Sequence, residues 1–248
     1  MLEQLLLFVI SLIANVFSAF AGGGAGLIQL PALIFLGLPF SLALATHKVA
    51  TVALGVGATV RNLQEGRLAL GRVLLILGCG LPGVVLGASF ILRVPDRSAQ
   101  VALGILTLSL GLYSVFKPQL GQVDGNAELS RGRMIVGGIG LFFIGVLNGS
   151  LTSGTGLFVT LWLVRIFAMD YKRAVAYTLI LVGMFWNGAG ALTLGLAADI
   201  QWSWLPALIL GSLLGGYIGA HLAIAKGNQW IKRAYEAITI VVGLKLML

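Results

Sequence analysis

The sequence predicts an all-α integral membrane protein of two inverted-topology repeats. Each repeat has about five hydrophobic segments, with a Gly-rich break before a short half-helix. Three observations carry this. Apolar residues make up 58% of the 248 and charged residues 10%, with a mean hydropathy of +1.02, whereas a soluble domain is about a quarter charged. Several apolar runs approach the roughly 20 residues needed to cross a bilayer. Finally, one motif occurs twice, as Ala21-Gly22-Gly23-Gly24-Ala25-Gly26-Leu27 and again, in the second half, as Leu151-Thr152-Ser153-Gly154-Thr155-Gly156-Leu157.

The apolar runs fall at 4–21, 25–38, 43–62, 71–92 and 98–116, then 133–150, 155–168, 173–195, 203–225 and 230–248. Ala19-Phe20-Ala21 has the look of a signal-peptide cleavage site, but Met1-Leu2-Glu3 lacks the positive flank such a peptide needs, so 4–21 reads as a retained span. The short runs 25–38 and 155–168 reach only about 21 Å at 1.5 Å per residue, less than a roughly 30 Å core. They are expected to be half-depth or strongly tilted. The stretch 117–132, with Lys117-Pro118, Asp124-Gly125 and Ser130-Arg131-Gly132, has linker chemistry. It divides the chain into a first membrane repeat (1–116), a cytoplasmic linker (117–132) and a second membrane repeat (133–248). Two further matches, Gly83-x-x-x-Gly87-Ala88 with Gly215-x-x-x-Gly219-Ala220 and Gly111-Leu112 with Gly243-Leu244, share one spacing, slightly wider than that of the Gly motif. A two-residue insertion accounts for the difference.

Net charge is +8, yet the cations sit in short loops, which sets topology and is no nucleic-acid footprint. The loops 61–72, 117–133, 165–173 and 226–233 together hold twelve of the sixteen Lys and Arg. Placing them in the cytoplasm leaves both termini outside and the protein a multi-pass component of the inner membrane. Parity then runs 43–62 outside to inside and its mate 173–195 the other way, whether or not the short segments span. Cys79 is alone and no Cys/His cluster has metal-ligand spacing, so neither a disulfide nor a cofactor is expected.

The Gly breaks are the candidate binding site. Irregular backbone inside a bilayer is tolerated only within protein or beside water, and glycine lets it bend and approach a ligand. The short helices that follow present unpaired N–H groups and positive dipole ends, an arrangement that suits an anion. Candidate residues are Gly22, Gly23, Gly24 and Gly26, and in the second copy Thr152, Ser153, Gly154, Thr155 and Gly156. The alternative is that the glycines only permit close helix packing.

Thr46-His47-Lys48 lies one to two turns into the third run. An ionisable residue there is a functional candidate by default, though Lys48 could instead snorkel to the outer interface. His47 titrates near physiological pH, so proton coupling is one use for it and plain hydrogen bonding another. The acidic residues fall in loops, at run ends or, for Glu236, in the first turns of the last run. A cationic or neutral-polar site without a buried acid suits an anionic substrate. Asn187, mid-run in the second half, either bonds between helices or lines the pathway.

At these residues the chain resembles the sulfite exporter TauE/SafE family. The resemblance runs through Gly22-Gly23-Gly24-Ala25-Gly26-Leu27-Ile28, Leu30-Pro31-Ala32-Leu33, Gly37-Leu38-Pro39 and Ala43-Leu44-Ala45-Thr46-His47-Lys48, and loosely through Gly154-Thr155-Gly156. His47 stands where the family usually has Asn, and Ser153 where it has Pro. Tyr177-Thr178, the second half's counterpart of Thr-Asn-Lys, lacks the lysine often found there. The resemblance implies a permease for sulfite, sulfonates and related small anions, often exporting them, and adds Tyr177 and Thr178 to the candidate site.

The reading is therefore a secondary transporter for a small sulfur-containing anion, working outward by alternating access. No GxxxxGK[ST] motif is present, so ion or substrate gradients would supply the energy. An importer of another small anion or a neutral metabolite is the alternative within the class. An intramembrane enzyme would need a nucleophile–base pair or metal cluster, and a scaffold subunit has no need of internal symmetry. Oligomeric state is left open.

Overall fold

The computed structural model describes residues 2–65, 68–90, 96–123, 130–151, 154–196 and 199–247. Among these the chain forms ten helices and no strand: α1 (Leu2–Ala21), α2 (Gln29–Phe35, after a 3-10 turn at Ala25–Leu27), α3 (Phe40–Asn62), α4 (Leu70–Phe90) and α5 (Asp96–Val115). Then follow α6 (Arg131–Ser150), α7 (Thr155–Ile166), α8 (Tyr171–Gly195), α9 (Leu205–Lys226) and α10 (Asn228–Met247). Six of them (α1, α3, α4, α6, α8 and α9) are long and apolar enough to cross a membrane. The protein is an all-α integral membrane protein, and its lipid-facing apolar side chains, such as Leu5, Phe17 and Phe143, stand exposed on the outside.

Each expected apolar run is a helix, with ends displaced by a few residues. The short segments are shorter than the sequence suggests: Ala25–Phe35 and Thr155–Ile166 extend about 17–18 Å. Pro39 stands at the N-cap of α3, where its missing N–H costs no intrahelical bond. Asp170 caps α8, its carboxylate accepting from Arg173 N at 2.7 Å. One feature escapes sequence patterning. Thr178–Trp186 within α8 is wound as a π-helix, a form rare elsewhere and frequent at functional sites.

The helices pair across the two halves. α1 packs along α9, and α6 along α4. The glycines make this possible. A Cβ at Gly83 or Gly87 would strike the carbonyls of Phe142 and Val146, and one at Gly215 or Gly219 those of Leu12 and Val16. The α5–α10 contact uses Gly111 against Thr239 and Gly243 against Leu108. At the centre α3 crosses α8 where the Gly55 and Gly183 backbones touch. Small residues at such crossings let dispersion and backbone contacts replace the hydrophobic drive that lipid does not supply.

One sequence placement changes. Lys232, assigned to a loop, lies in the first turns of α10. It is buried there and paired with Glu236, and donates to Ser114 Oγ at 3.1 Å. Its stem and charge are satisfied inside the bundle, so it does not reach into solvent. The start of the segment 117–132 is tied to the starts of α8 and α10: Gly121 O accepts from Tyr171 N at 2.9 Å, and Gln122 O accepts from Asn228 Nδ2 at 2.9 Å.

Candidate functional site

The two Gly breaks meet. A Cβ at Gly23 would lie 2.6 Å from Gly156 Cα, and one at Gly156 would lie 2.9 Å from Gly23 Cα. Only glycine lets two chain breaks touch backbone to backbone at the middle of the bundle. Gly24 and Gly154, equivalent in the repeat, both hold left-handed backbone (φ 101° and 75°) immediately before the short helices. A side chain is strained in that region. Gly22 and Gly23 also have positive φ, 89° and 132°.

Beside this meeting point lies a cavity with about 390 Å³ of unfilled space, partly open to solvent. The breaks supply Gly23, Gly24, Ala25, Gly26, Thr155 and Gly156 to its wall. α3 supplies His47, Thr51 and Leu54, and α8 supplies Thr178, Val182, Gly183 and Asn187. Ser18 and Asn148, each late in the helix that precedes a break, complete its polar rim. Among the described residues no carboxylate lines it.

The backbone donors are only partly available. Gly22 N and Gly23 N donate to Ser18 O at 2.9 and 2.7 Å, finishing α1. Gly22 O accepts from Thr160 Oγ1 at 2.6 Å. The backbone N–H groups of the first break that carry no hydrogen bond among the described residues are those of Gly24 and Ala25, whose carbonyls accept from Leu27 N and Ile28 N.

Lys48 does not snorkel. It is fully buried, and its ammonium donates to Asn148 O at 2.9 Å with Asn148 Oδ1 at 3.4 Å. Gly190 leaves room for its stem, since a Cβ there would sit 3.0 Å from Lys48 Cε and Nζ. Asn148 Nδ2 in turn donates to Thr155 Oγ1 at 2.8 Å. The chain Lys48–Asn148–Thr155 thus joins the cation to the N-terminus of α7. Lys48 stands one side chain behind the cavity wall. Among the described residues it forms no ion pair.

His47 lines the cavity, and its Nδ1 lies 3.0 Å from Gln29 Oε1. Gln29 Nε2 donates to Ser11 Oγ at 3.1 Å, and Ser11 meets Ser212 at 3.0 Å, a wholly buried polar chain. Thr178 also lines the cavity, its hydroxyl 2.9 Å from that of Thr160. Asn187 does both things the sequence left open. It lines the cavity and donates to Thr51 Oγ1 at 3.1 Å across the α3–α8 contact, while its Oδ1 is buried without a protein partner.

Gly22 and Gly154 are not part of the cavity wall, and two side-chain candidates face elsewhere. Thr46 Oγ1 donates to Leu42 O and accepts from Gln201 N at 3.0 Å, so it fixes the loop before α9. Tyr177 OH accepts from Ala69 N at 2.5 Å and fixes the loop before α4. The two are a matched pair of anchors, and neither lines the cavity. Thr152 and Ser153 lie outside the described residues. Sequence reasoning missed Ser18, Thr51 and Asn148. The first and last stand in matching places of the repeat, and Thr51 is one turn beyond His47 on the same face, so the repeat and the helical period together held the signal.

A polytopic helical bundle whose broken helices meet beside a partly open cavity with a polar rim belongs to the architectural class of membrane transporters. Comparison with known proteins makes this specific. The profile of the sulfite exporter TauE/SafE family matches residues 7–246, and the chain belongs to that family. It is 30% identical over 227 residues to "Probable membrane transporter protein" of Haemophilus influenzae, covering 92% of this chain and 88% of that one. It is 29% identical over 242 residues to "Probable membrane transporter protein ORF9" of Sinorhizobium sp, covering 97% and 91%. It is 26% identical over 243 residues to "Probable membrane transporter protein YfcA" of Escherichia coli strain K12, covering 97% and 88%. The protein is a multi-pass membrane transporter.

Proposed function

We propose that this transporter moves a small sulfur-containing anion, sulfite or an organosulfonate, outward across the inner membrane by alternating access between two inverted repeats. The observation that carries the reading is the carboxylate-free cavity at the meeting of the two Gly breaks, with the buried Lys48 behind it. A tetrahedral or pyramidal oxyanion needs several donors and positive potential without a competing acid. Gly24 N, Ala25 N and the N-terminus of α7 supply donors and dipole, and Lys48 supplies charge through the Asn148–Thr155 chain. The cross-half pairing of α1 with α9 and α6 with α4 favours two similar units moving against each other around a fixed site. His47, the one histidine on the cavity, is the group that would couple a proton to the anion.

The test is flux in proteoliposomes against a panel of anions, with and without an imposed pH gradient. Sulfite or a short organosulfonate should compete with tracer efflux, and carboxylates of equal size should compete less. Transport of neutral solutes, or equal competition by all anions, would overturn the substrate assignment. Net uptake under every gradient would overturn the direction.

A further inference from the structure

The central cavity is not the largest opening in the molecule. A second groove, with about 970 Å³ of unfilled space, lies on the membrane-facing side between α5, α6 and α7. Its wall is apolar, made by Leu110, Phe143, Ile144, Leu147, Phe158 and Leu161. Its end is different. There Tyr113, Trp162 and Arg165 stand together, with Arg165 Nε donating to Tyr113 OH at 2.8 Å and Trp162 Nε1 donating to Gly137 O at 3.1 Å. Trp and Tyr beside a cation mark the level of the headgroups. The remaining guanidinium N–H groups of Arg165 have no carboxylate partner among the described residues. Lys117, directly after α5, and Arg131 and Arg133, in the first turn of α6, add exposed positive charge on this side. It is the side that the distribution of Lys and Arg assigns to the cytoplasm, where anionic lipids concentrate.

The geometry points to a binding site for one anionic phospholipid, with an acyl chain in the α5–α6–α7 groove and the headgroup phosphate on Arg165. Apolar chain and anionic head match the two ends of the groove in order. From Gly140 to Leu147 the wall rises about 10 Å along α6, deep enough to hold much of one leaflet's chain. The other half does not repeat the polar end: the repeat counterparts of Trp162 and Arg165 are Ala32 and Phe35. The site also has a place in the working parts. α7 separates the groove from the central cavity, with Phe158 on one side and Thr155 and Gly156 on the other. A seated lipid therefore braces the helix whose N-terminus meets the first Gly break. This inference is independent of which solute the protein carries.

Native mass spectrometry of the purified full chain in neutral detergent tests it, with phosphatidylglycerol, phosphatidylcholine of the same chains, and inorganic phosphate as probes. One phosphatidylglycerol should be retained per chain, about fivefold over phosphatidylcholine, the ratio one basic residue gains at an anionic headgroup. Inorganic phosphate should not be retained. Arg165→Gln should remove the preference while leaving the thermal unfolding midpoint in lipid-free detergent unchanged. Leu110→Trp, which fills the groove, should lower retention of both lipids. Equal retention of the two lipids by the unmodified chain, or an unchanged preference in Arg165→Gln, would overturn the site. A lipid-free dimer that Leu110→Trp dissociates would make the groove an interface between copies and overturn it too.

Discussion

Replacing Lys48 by methionine separates a functional charge from a structural one. The ammonium is fully buried, donates to Asn148 O at 2.9 Å and approaches Oδ1 at 3.4 Å, and forms no ion pair among the described residues. Loss of charge-assisted hydrogen bonds costs about 1.5–3 kcal/mol each, and the longer contact is worth less. Against this, an unpaired ion carries a desolvation penalty of several kcal/mol even after relaxation. Methionine keeps the unbranched stem that packs beside Gly190 and removes the charge. The terms nearly cancel, so stability should change by no more than about 1–2 kcal/mol. Transport should not be spared. A unit charge roughly 8 Å from a bound anion, one side chain away, contributes about 2 kcal/mol at an effective dielectric of about 20, or about thirtyfold in apparent affinity. Thermal unfolding in detergent reads the first effect and anion flux in proteoliposomes the second. Destabilisation of about 3 kcal/mol or more, the range for breaking a buried charged pair, would make Lys48 a structural strut. Normal flux in a folded Lys48→Met protein would remove it from the site.

Gly23→Ala should lower stability and also lose anion-dependent thermal stabilisation, because its methyl group meets Gly156 Cα at 2.6 Å and its backbone has positive φ. Gly87→Val and Gly219→Val should lower stability by about 1–3 kcal/mol through overpacking, since each would strike a carbonyl of the paired helix, yet keep the stabilisation by anion. Unfolding curves with and without sulfite distinguish the two classes. His47→Asn keeps a hydrogen-bonding group next to Gln29 and removes the titratable ring. Flux should persist while its dependence on an imposed pH gradient disappears, and a gradient dependence that survives would assign coupling elsewhere. A cysteine at Ser130 in a protein whose Cys79 has been replaced by serine should react with impermeant reagents only from the cytoplasmic face; labelling from outside would reverse the orientation.

The fold was legible because lipid imposes one solution on an apolar chain. Every backbone polar group must be satisfied internally, so apolar runs such as 71–92 could only be helices, and the structure has α4 there. The breaks were legible too, since Gly-rich sequence after an apolar run has few other uses in a bilayer. What stayed hidden depended on distant partners. The π-winding of 178–186 has no local sequence code; it coincides with Trp186 packing over Gly80 and Gly183 pressing on Gly55. Lys48 could be placed on a membrane helix but its side chain could not be given a direction, because its partner Asn148 belongs to the other half of the chain. Thr46 and Tyr177 shared the signature of cavity residues and proved to be anchors for Gln201 and Ala69.

The two halves agree in their glycines and differ in their polar side chains. Gly83 and Gly87 meet Phe142 and Val146 as Gly215 and Gly219 meet Leu12 and Val16, which are repeat counterparts on the receiving helices. A Cβ at any of the four donor positions would push a helix pair apart, so packing holds these sites in both halves alike. Side chains at the cavity are under no such constraint. Where the first half has His47 and Lys48, the second has Tyr177 and Thr178; where the first has Ser18 and Ala25, the second has Asn148 and Thr155. Under the proposed anion transport, symmetric packing would let two matched units exchange positions at little energetic difference, while a single Lys48–Asn148–Thr155 chain would concentrate positive potential on one side of the cavity. A second lysine at Thr178 would put another cation on the cavity wall, and like charges there would raise the cost of the empty carrier. Thr178 provides a hydroxyl without that repulsion, and the one buried ammonium is already hydrogen-bonded to Asn148 O.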